Sequence, residues 1–148
     1  MAETLSFVPF EAIEHTADLA FIARGRTPEE LFTHAAEAMI AFLYDRATVD
    51  PRGEEGFEVS GADLEELLVA WLQEILYRQE VQKRLYHEFR VETAIPPQLV
   101  ARATGERYDP ARHALLGSVK AATYHDLAVR SETGAAGPLW CVQVVLDT

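Results

Sequence analysis

Cysteine occurs once in the 148 residues, at Cys141, so no disulfide can close within the chain and no site can take two thiolate ligands from it. Zinc fingers and dithiol redox pairs are excluded. Lysine is almost as scarce, with only Lys83 and Lys120 against eleven arginines, and basic residues together number 13 against 24 acidic ones. The formal net charge of −11 opposes a phosphate backbone, so direct nucleic-acid binding is not expected. No apolar run approaches the roughly 18 residues that span a bilayer. The N-terminal stretch lacks the basic start and apolar middle of a secretory signal. The expectation is a soluble, cytoplasmic protein without membrane contact. Gly-rich phosphate loops, the Gly-x-Gly-x-x-Gly fingerprint, His-Glu-x-x-His and the Gly-x-Ser-x-Gly elbow are all missing.

What is present suits one domain over residues 1–148: the length is that of a single ordinary domain, and 49% hydrophobic residues can furnish a core without staples. The acidity is concentrated in residues 1–80, with 5 basic and 17 acidic side chains, whereas residues 81–148 hold 8 and 7. Such a surface favours solubility, and it also suits a basic protein partner or a metal ion.

Residues Phe7 to Gly25 read as two short strands around a tight connection at His15-Thr16-Ala17-Asp18, with Leu19, Phe21 and Ala23 alternating onto one face. Thr27-Pro28-Glu29-Glu30 has the N-cap, first-turn proline and capping-box glutamate of a helix start, and an apolar stripe runs from there to about Tyr44. An exposed loop is expected from Asp45 to Gly56, then a short strand at Phe57–Val59. A second helix begins near Ser60 or Asp63. Its Leu64, Leu67, Leu68, Trp71, Leu72, Ile75 and Leu76 form the buried stripe, and Glu65, Glu66, Gln73 and Glu74 take the other face.

Strands are expected at Phe89–Glu92 and Leu99–Thr104, on either side of Pro96-Pro97, followed by a turn over Gly105–Arg112. A long alternating strand over Ser118–Arg130, a hairpin loop at Gly134–Pro138 and a closing strand at Leu139–Asp147 complete the pattern. Two amphipathic helices and six to eight strands predict an α+β domain, with both helices laid on a largely antiparallel sheet.

Few residues stand out chemically. Cys141, inside Trp140-Cys141-Val142, reads as a small buried hydrophobe rather than a nucleophile. Asp18 opens an apolar strand directly after His15 and Thr16, and Asp147 closes another one residue from the terminal carboxylate of Thr148. If the last strand runs beside the first hairpin, these oxygens converge on a pocket suited to a hard cation; two solvated acids are the alternative. Lys120 lies mid-strand in a chain that otherwise prefers arginine, either for its compact ammonium or as an ordinary surface residue. His113, Tyr124 and His125 are close in sequence, but Tyr124 and His125 would face opposite sides of a strand.

The sequence resembles the archease family over nearly its whole length. The stretches that carry the likeness are Glu14-His15-Thr16-Ala17-Asp18, Thr27-Pro28-Glu29-Glu30-Leu31-Phe32, Leu67 through Tyr77, and Val119-Lys120-Ala121-Ala122-Thr123-Tyr124-His125 with the terminal Val144-Val145-Leu146-Asp147. The resemblance implies a non-enzymatic activator of an RtcB-type RNA ligase in tRNA splicing and RNA repair. Such a protein promotes guanylylation of the ligase's active-site histidine by GTP and so permits multiple turnover. The resemblance also implies a divalent-metal site, calcium in the family, with magnesium or manganese as alternatives, and its ligands map onto Asp18, Asp147 and the main chain or terminus at Thr148. The family's important lysine maps onto Lys120, with His15, Tyr124 and His125 as supporting residues. The family's usual ending is Leu-Asp followed by Ile or Val, whereas this chain ends Leu146-Asp147-Thr148. A small metal-dependent hydrolase and a chaperone-like binding module for RNA-modifying enzymes remain as competing readings.

Overall fold

The computed structural model describes residues 6–15 and 18–148. Strands β1 (Phe10–His15) and β2 (Asp18–Gly25) form the first hairpin, and helix α1 (Pro28–Ala41) follows. A 3-10 turn at Arg46–Thr48 leads to β3 (Gly53–Ser60), helix α2 (Leu64–Glu80) and the hairpin of β4 (Arg84–Ile95) with β5 (Gln98–Arg107). The chain ends with β6 (Ala121–Ala122), β7 (Arg130–Gly134) and β8 (Gly137–Asp147). No described helix is long and apolar enough to cross a membrane.

The expected single sheet is two. One runs β1-β2-β8-β6, with β7 also paired to β8, and the other runs β3-β5-β4; every pairing is antiparallel. The helices explain the division. α1 packs on β2 of the first sheet and β4 of the second, while α2 meets β3, β4 and β5 on one side and β6 on the other. Buried arcs this broad, Leu67 through Leu76 on α2 and Leu31 through Ile40 on α1, exceed what one sheet can cover. At the centre Trp71 is fully buried, edge-on to Phe57 at 4.9 Å and to Phe89 at 5.8 Å, and its indole N–H donates to the Phe32 carbonyl at 3.0 Å.

The helix starts behave as their sequences require. Thr27 Oγ1 accepts from the Glu30 amide at 3.1 Å, and Asp63 Oδ1 accepts from the Glu66 amide at 2.8 Å, which fixes Asp63 rather than Ser60 as the second cap. The Glu30 carboxylate reaches past Thr27 to the Arg26 amide and guanidinium, a displaced version of the capping box, and this contact with Arg26 holds the carboxyl below its ordinary value. α1 stops at Ala41, short of Tyr44, whose hydroxyl is used elsewhere.

Three further differences have local causes. The loop expected over 45–56 contains the 3-10 turn, capped by Asp45, and the first half of β3. That half is polar because ion pairs hold it: Glu54 to Arg102 at 2.7 Å, and Glu55 to Arg78 at 3.2 Å and to Arg84. The turn expected from Gly105 begins only at Tyr108, since Gly105–Arg107 still belong to β5. The long strand expected over 118–130 is absent. After Ala122, the Thr123 amide and hydroxyl both donate to the Val145 carbonyl, Leu127 N–H closes a turn on Tyr124 O at 3.1 Å, and Asp126 takes a left-handed backbone with φ of 53°. The alternation in that segment is therefore not a pleat.

Side chains on the helices, and Tyr44 just beyond α1, finish both sheets. On the free edge of β4, the Tyr86 amide donates to the Tyr44 hydroxyl (2.8 Å), the Val91 amide to Thr33 Oγ1 (3.2 Å) and the Ala94 amide to Glu29 (3.2 Å). On the other sheet, the Ala122 amide donates to Gln73 (2.9 Å) and the Val129 amide to Glu65 (2.9 Å). These bonds occupy edge groups that would otherwise recruit another strand.

Gly25 and Gly61 each stand two residues before a helix cap, where the incoming chain lies directly on the first turn. A Cβ would sit 2.4 Å from the Leu31 nitrogen at Gly25 and 2.6 Å from the Leu67 nitrogen at Gly61. Because the obstacle is backbone, Gly61→Ala should lower stability by about 1–3 kcal/mol in urea unfolding.

Candidate functional site

β8 has β2 on one edge and β6 on the other, and their registers meet at its C-terminal end. Leu19 pairs with Leu146 and Ala121 pairs with Asp147, so Asp18 and Asp147 each stand one residue beyond the Leu19–Leu146 pair on adjacent strands. By strand parity they share the face opposite that of Phe21 and Val144, which lie in the core. The Lys120 amide donates to the Asp147 carbonyl at 2.8 Å, which anchors the lysine immediately before β6 rather than in the middle of a strand. Asp18 is half-buried; Lys120, Asp147 and Thr148 are exposed.

Among the described residues, the side chains of Asp18, Asp147 and Lys120 make no hydrogen bond or ion pair, with each other or with any neighbour. Two carboxylates and an ammonium are thus left uncompensated at one end of the sheet, beside the chain terminus. Among the described residues no group of three His, Cys, Asp or Glu side chains is gathered for a metal; a cation at this pole would have to draw on Asp18, Asp147 and the oxygens of Thr148. That donor set is all oxygen, which fits a hard divalent cation. His15 pairs with Asp18 through the backbone, but its side chain, like residues 16–17, lies outside the described residues.

The family model of the archease protein family matches residues 10–148. The chain belongs to the archease family. It is 40% identical over 143 residues to the protein archease of Methanopyrus kandleri, covering 95% of this chain and 99% of that one. It is 41% identical over 144 residues to the protein archease of Methanosarcina acetivorans, covering 93% and 94%. In three dimensions it is similar to the solution structure of Methanobacterium thermoautotrophicum protein 1598, with a TM-score of 0.77 and 29% identity over 95% of this chain and 99% of that one.

The remaining candidates of this archease do not join the pole as a strand would bring them. Tyr124 and His125 sit in the turn that follows β6, not on opposite faces of a pleat; both are exposed, and His125 Nε2 lies 3.2 Å from its neighbour Asp126. Tyr124 instead borders a cleft of about 700 Å³ where residues 124–129 leave β8, lined also by Ile22 and Gln143. Cys141, read as buried, is half-buried at this same cleft.

His113 belongs to a separate cluster. It is buried, at 3% exposure, beside Glu106 at 6%. The Asp109 amide donates to His113 Nδ1 at 2.9 Å, which leaves the ring proton on Nε2, 3.0 Å from Glu106 Oε2. Arg112 bonds the same carboxylate, and the Asp50 amide donates to it at 2.6 Å. No sequence signal marks this cluster, because its parts come from residues 50, 106, 109, 112 and 113 and have no motif spacing.

Burial pushes the Glu106 carboxyl up, but the Asp50 amide, His113 and Arg112 outweigh it and hold the group down at about 2. A carboxyl depressed in the folded state stabilises the protein above its unfolded value near 4.5 and loses that contribution as pH falls toward about 2. Acid unfolding followed by circular dichroism should therefore steepen across that window. Glu106→Gln should lower the urea midpoint at pH 7 and flatten the dependence between those values.

Proposed function

We propose that this archease is a non-catalytic accessory protein of an RNA ligase, and that its partner is an RtcB-type ligase acting in tRNA splicing and RNA repair. Its action would be to promote guanylylation of the ligase's active-site histidine by GTP, which permits multiple turnover. The observation that carries this reading is the pole itself: Asp18, Asp147 and Lys120 spend nothing on their own fold, so their charges remain available to something outside it. Family membership supports an accessory role to an RNA-processing ligase, and the net charge of −11 supports docking to a protein rather than to RNA.

The carboxylates of Asp18 and Asp147, with the main chain or terminus at Thr148, would hold the divalent cation; calcium suits this oxygen set, and magnesium or manganese would compete. When bound, the cation supplies positive charge against phosphate oxygens. Pairing of Leu19 with Leu146 keeps the two residues on neighbouring strands, so the backbone beneath each carboxylate is already fixed when the metal arrives. The Lys120 main chain, fixed on Asp147, sets the ammonium's starting point, from which it can reach an anionic group of the ligase–nucleotide complex. Tyr124 and His125, in the adjoining exposed turn, could add contacts to the partner.

Multiple-turnover RNA ligation by a cognate RtcB-type ligase, with GTP and metal, tests this directly. The wild type should accelerate turnover, and Asp18→Ala and Asp147→Ala should abolish most of the acceleration while keeping the wild-type circular dichroism spectrum. Calorimetric titration with calcium should show affinity reduced by about tenfold or more in either variant. No acceleration of an active cognate ligase, or phosphatase or nuclease turnover by the isolated protein, would overturn the proposal.

A further inference from the structure

The two lysines lie 37 positions apart in sequence, yet both line one groove, formed by the end of α2, the start of β4 and residues 115–120. The groove has a volume of about 450 Å³, and Leu43, Leu76, Leu85 and Val119 supply its apolar lining. Neither lysine has an ion pair among the described residues, whereas eight of the eleven arginines do. Glu80 is the one acid in the lining. In a chain of net charge −11, an apolar groove carrying two unspent ammonium groups is a local reversal of the surface.

Two observations favour a polypeptide as its occupant. The apolar surface continues out of the groove: Leu115, which lines it, is 50% exposed, and the adjoining Leu116 and Val81 are 64% and 59% exposed. Lys120 belongs both to this groove and to the Asp18–Asp147 pole, so one partner can engage the two together.

We propose that this groove docks a segment of a partner protein that carries an apolar side chain flanked by carboxylates, and, resting on the reading above, that the segment belongs to the ligase. The apolar side chain fills the pocket between Leu76 and Val119, and its acidic neighbours meet Lys83 and Lys120. The groove thereby supplies affinity and register, while the pole supplies activation.

The test is calorimetric titration of the full-length cognate ligase with the full-length wild type, Lys83→Glu, Leu115→Glu and Lys83→Arg, at two salt concentrations. Lys83→Glu and Leu115→Glu should each weaken Kd by about tenfold or more, and Lys83→Arg should stay within about threefold of wild type. Salt should weaken the wild type more than Lys83→Glu. Urea midpoints verify folding, and Lys83→Glu carries the test alone if Leu115→Glu is unstable. Wild-type affinity in Lys83→Glu would overturn the groove and leave the ligase reading standing. Absence of any binding by the wild type to an active ligase would overturn both.

Discussion

The pairing of β2 with β8 is the contact on which the rest of this molecule depends. It joins residues from the two ends of the chain, from Leu19–Leu146 to Gly25–Trp140, and puts the last strand in the interior of its sheet. Its inner face is dry: Phe21, Ala23, Val142 and Val144 lie at 1% exposure or less beneath the helices. Burial at roughly 25 cal/mol per Å² of apolar surface therefore secures the register, because a slip by one residue would turn those side chains outward. Asp18 and Asp147 ride on this register at the open end. Their proximity is a by-product of core packing rather than of attraction between them, which two carboxylates could not supply.

A second constraint is the use of helix polar faces to complete strand edges. Thr33 and Glu29 of α1, with Tyr44 just beyond that helix, meet the outer amides of β4, while Gln73 and Glu65 of α2 meet residues 122 and 129. Helices placed between two sheets have little face left for solvent, so residues that look like a hydrated stripe become hydrogen-bond partners for backbone. The segment between β6 and β7 can then leave the pleat, because α2 accepts the amides that a continuous strand would have paired. That departure opens the cleft beside Tyr124.

Arginine and lysine divide the electrostatic work. Arginines at 24, 26, 46, 52, 78, 84, 102 and 112 are tied to acids, where a planar guanidinium can bridge two elements and stay charged. Among the described residues, the lysines have no ion pair and keep their ammonium groups on flexible stems. An acidic archease that spends most of its arginines internally presents its remaining cations as localised features, and the two lysines line the groove next to the carboxylate pole.

The sequence alone determined whatever depends on neighbours a few positions apart: Thr27 and Asp63 as caps, the buried stripes of both helices, the first and last strands, and the archease resemblance carried by Asp18, Lys120 and Asp147. Local chemistry decides these before any tertiary contact forms. Tertiary structure alone decided that there are two sheets, that β3 begins among charged residues at Gly53, and that 123–129 is a turn and arch rather than a strand. It also drew His113 away from Tyr124 to Glu106 and brought Lys83 and Lys120 into the lining of one groove. Each of these outcomes rests on a partner dozens of residues distant, such as Arg102 for Glu54, Val145 for Thr123 or Asp50 for Glu106. Periodicity reports which face of an element is apolar; only the packed chain determines what meets that face and which polar groups remain unmet.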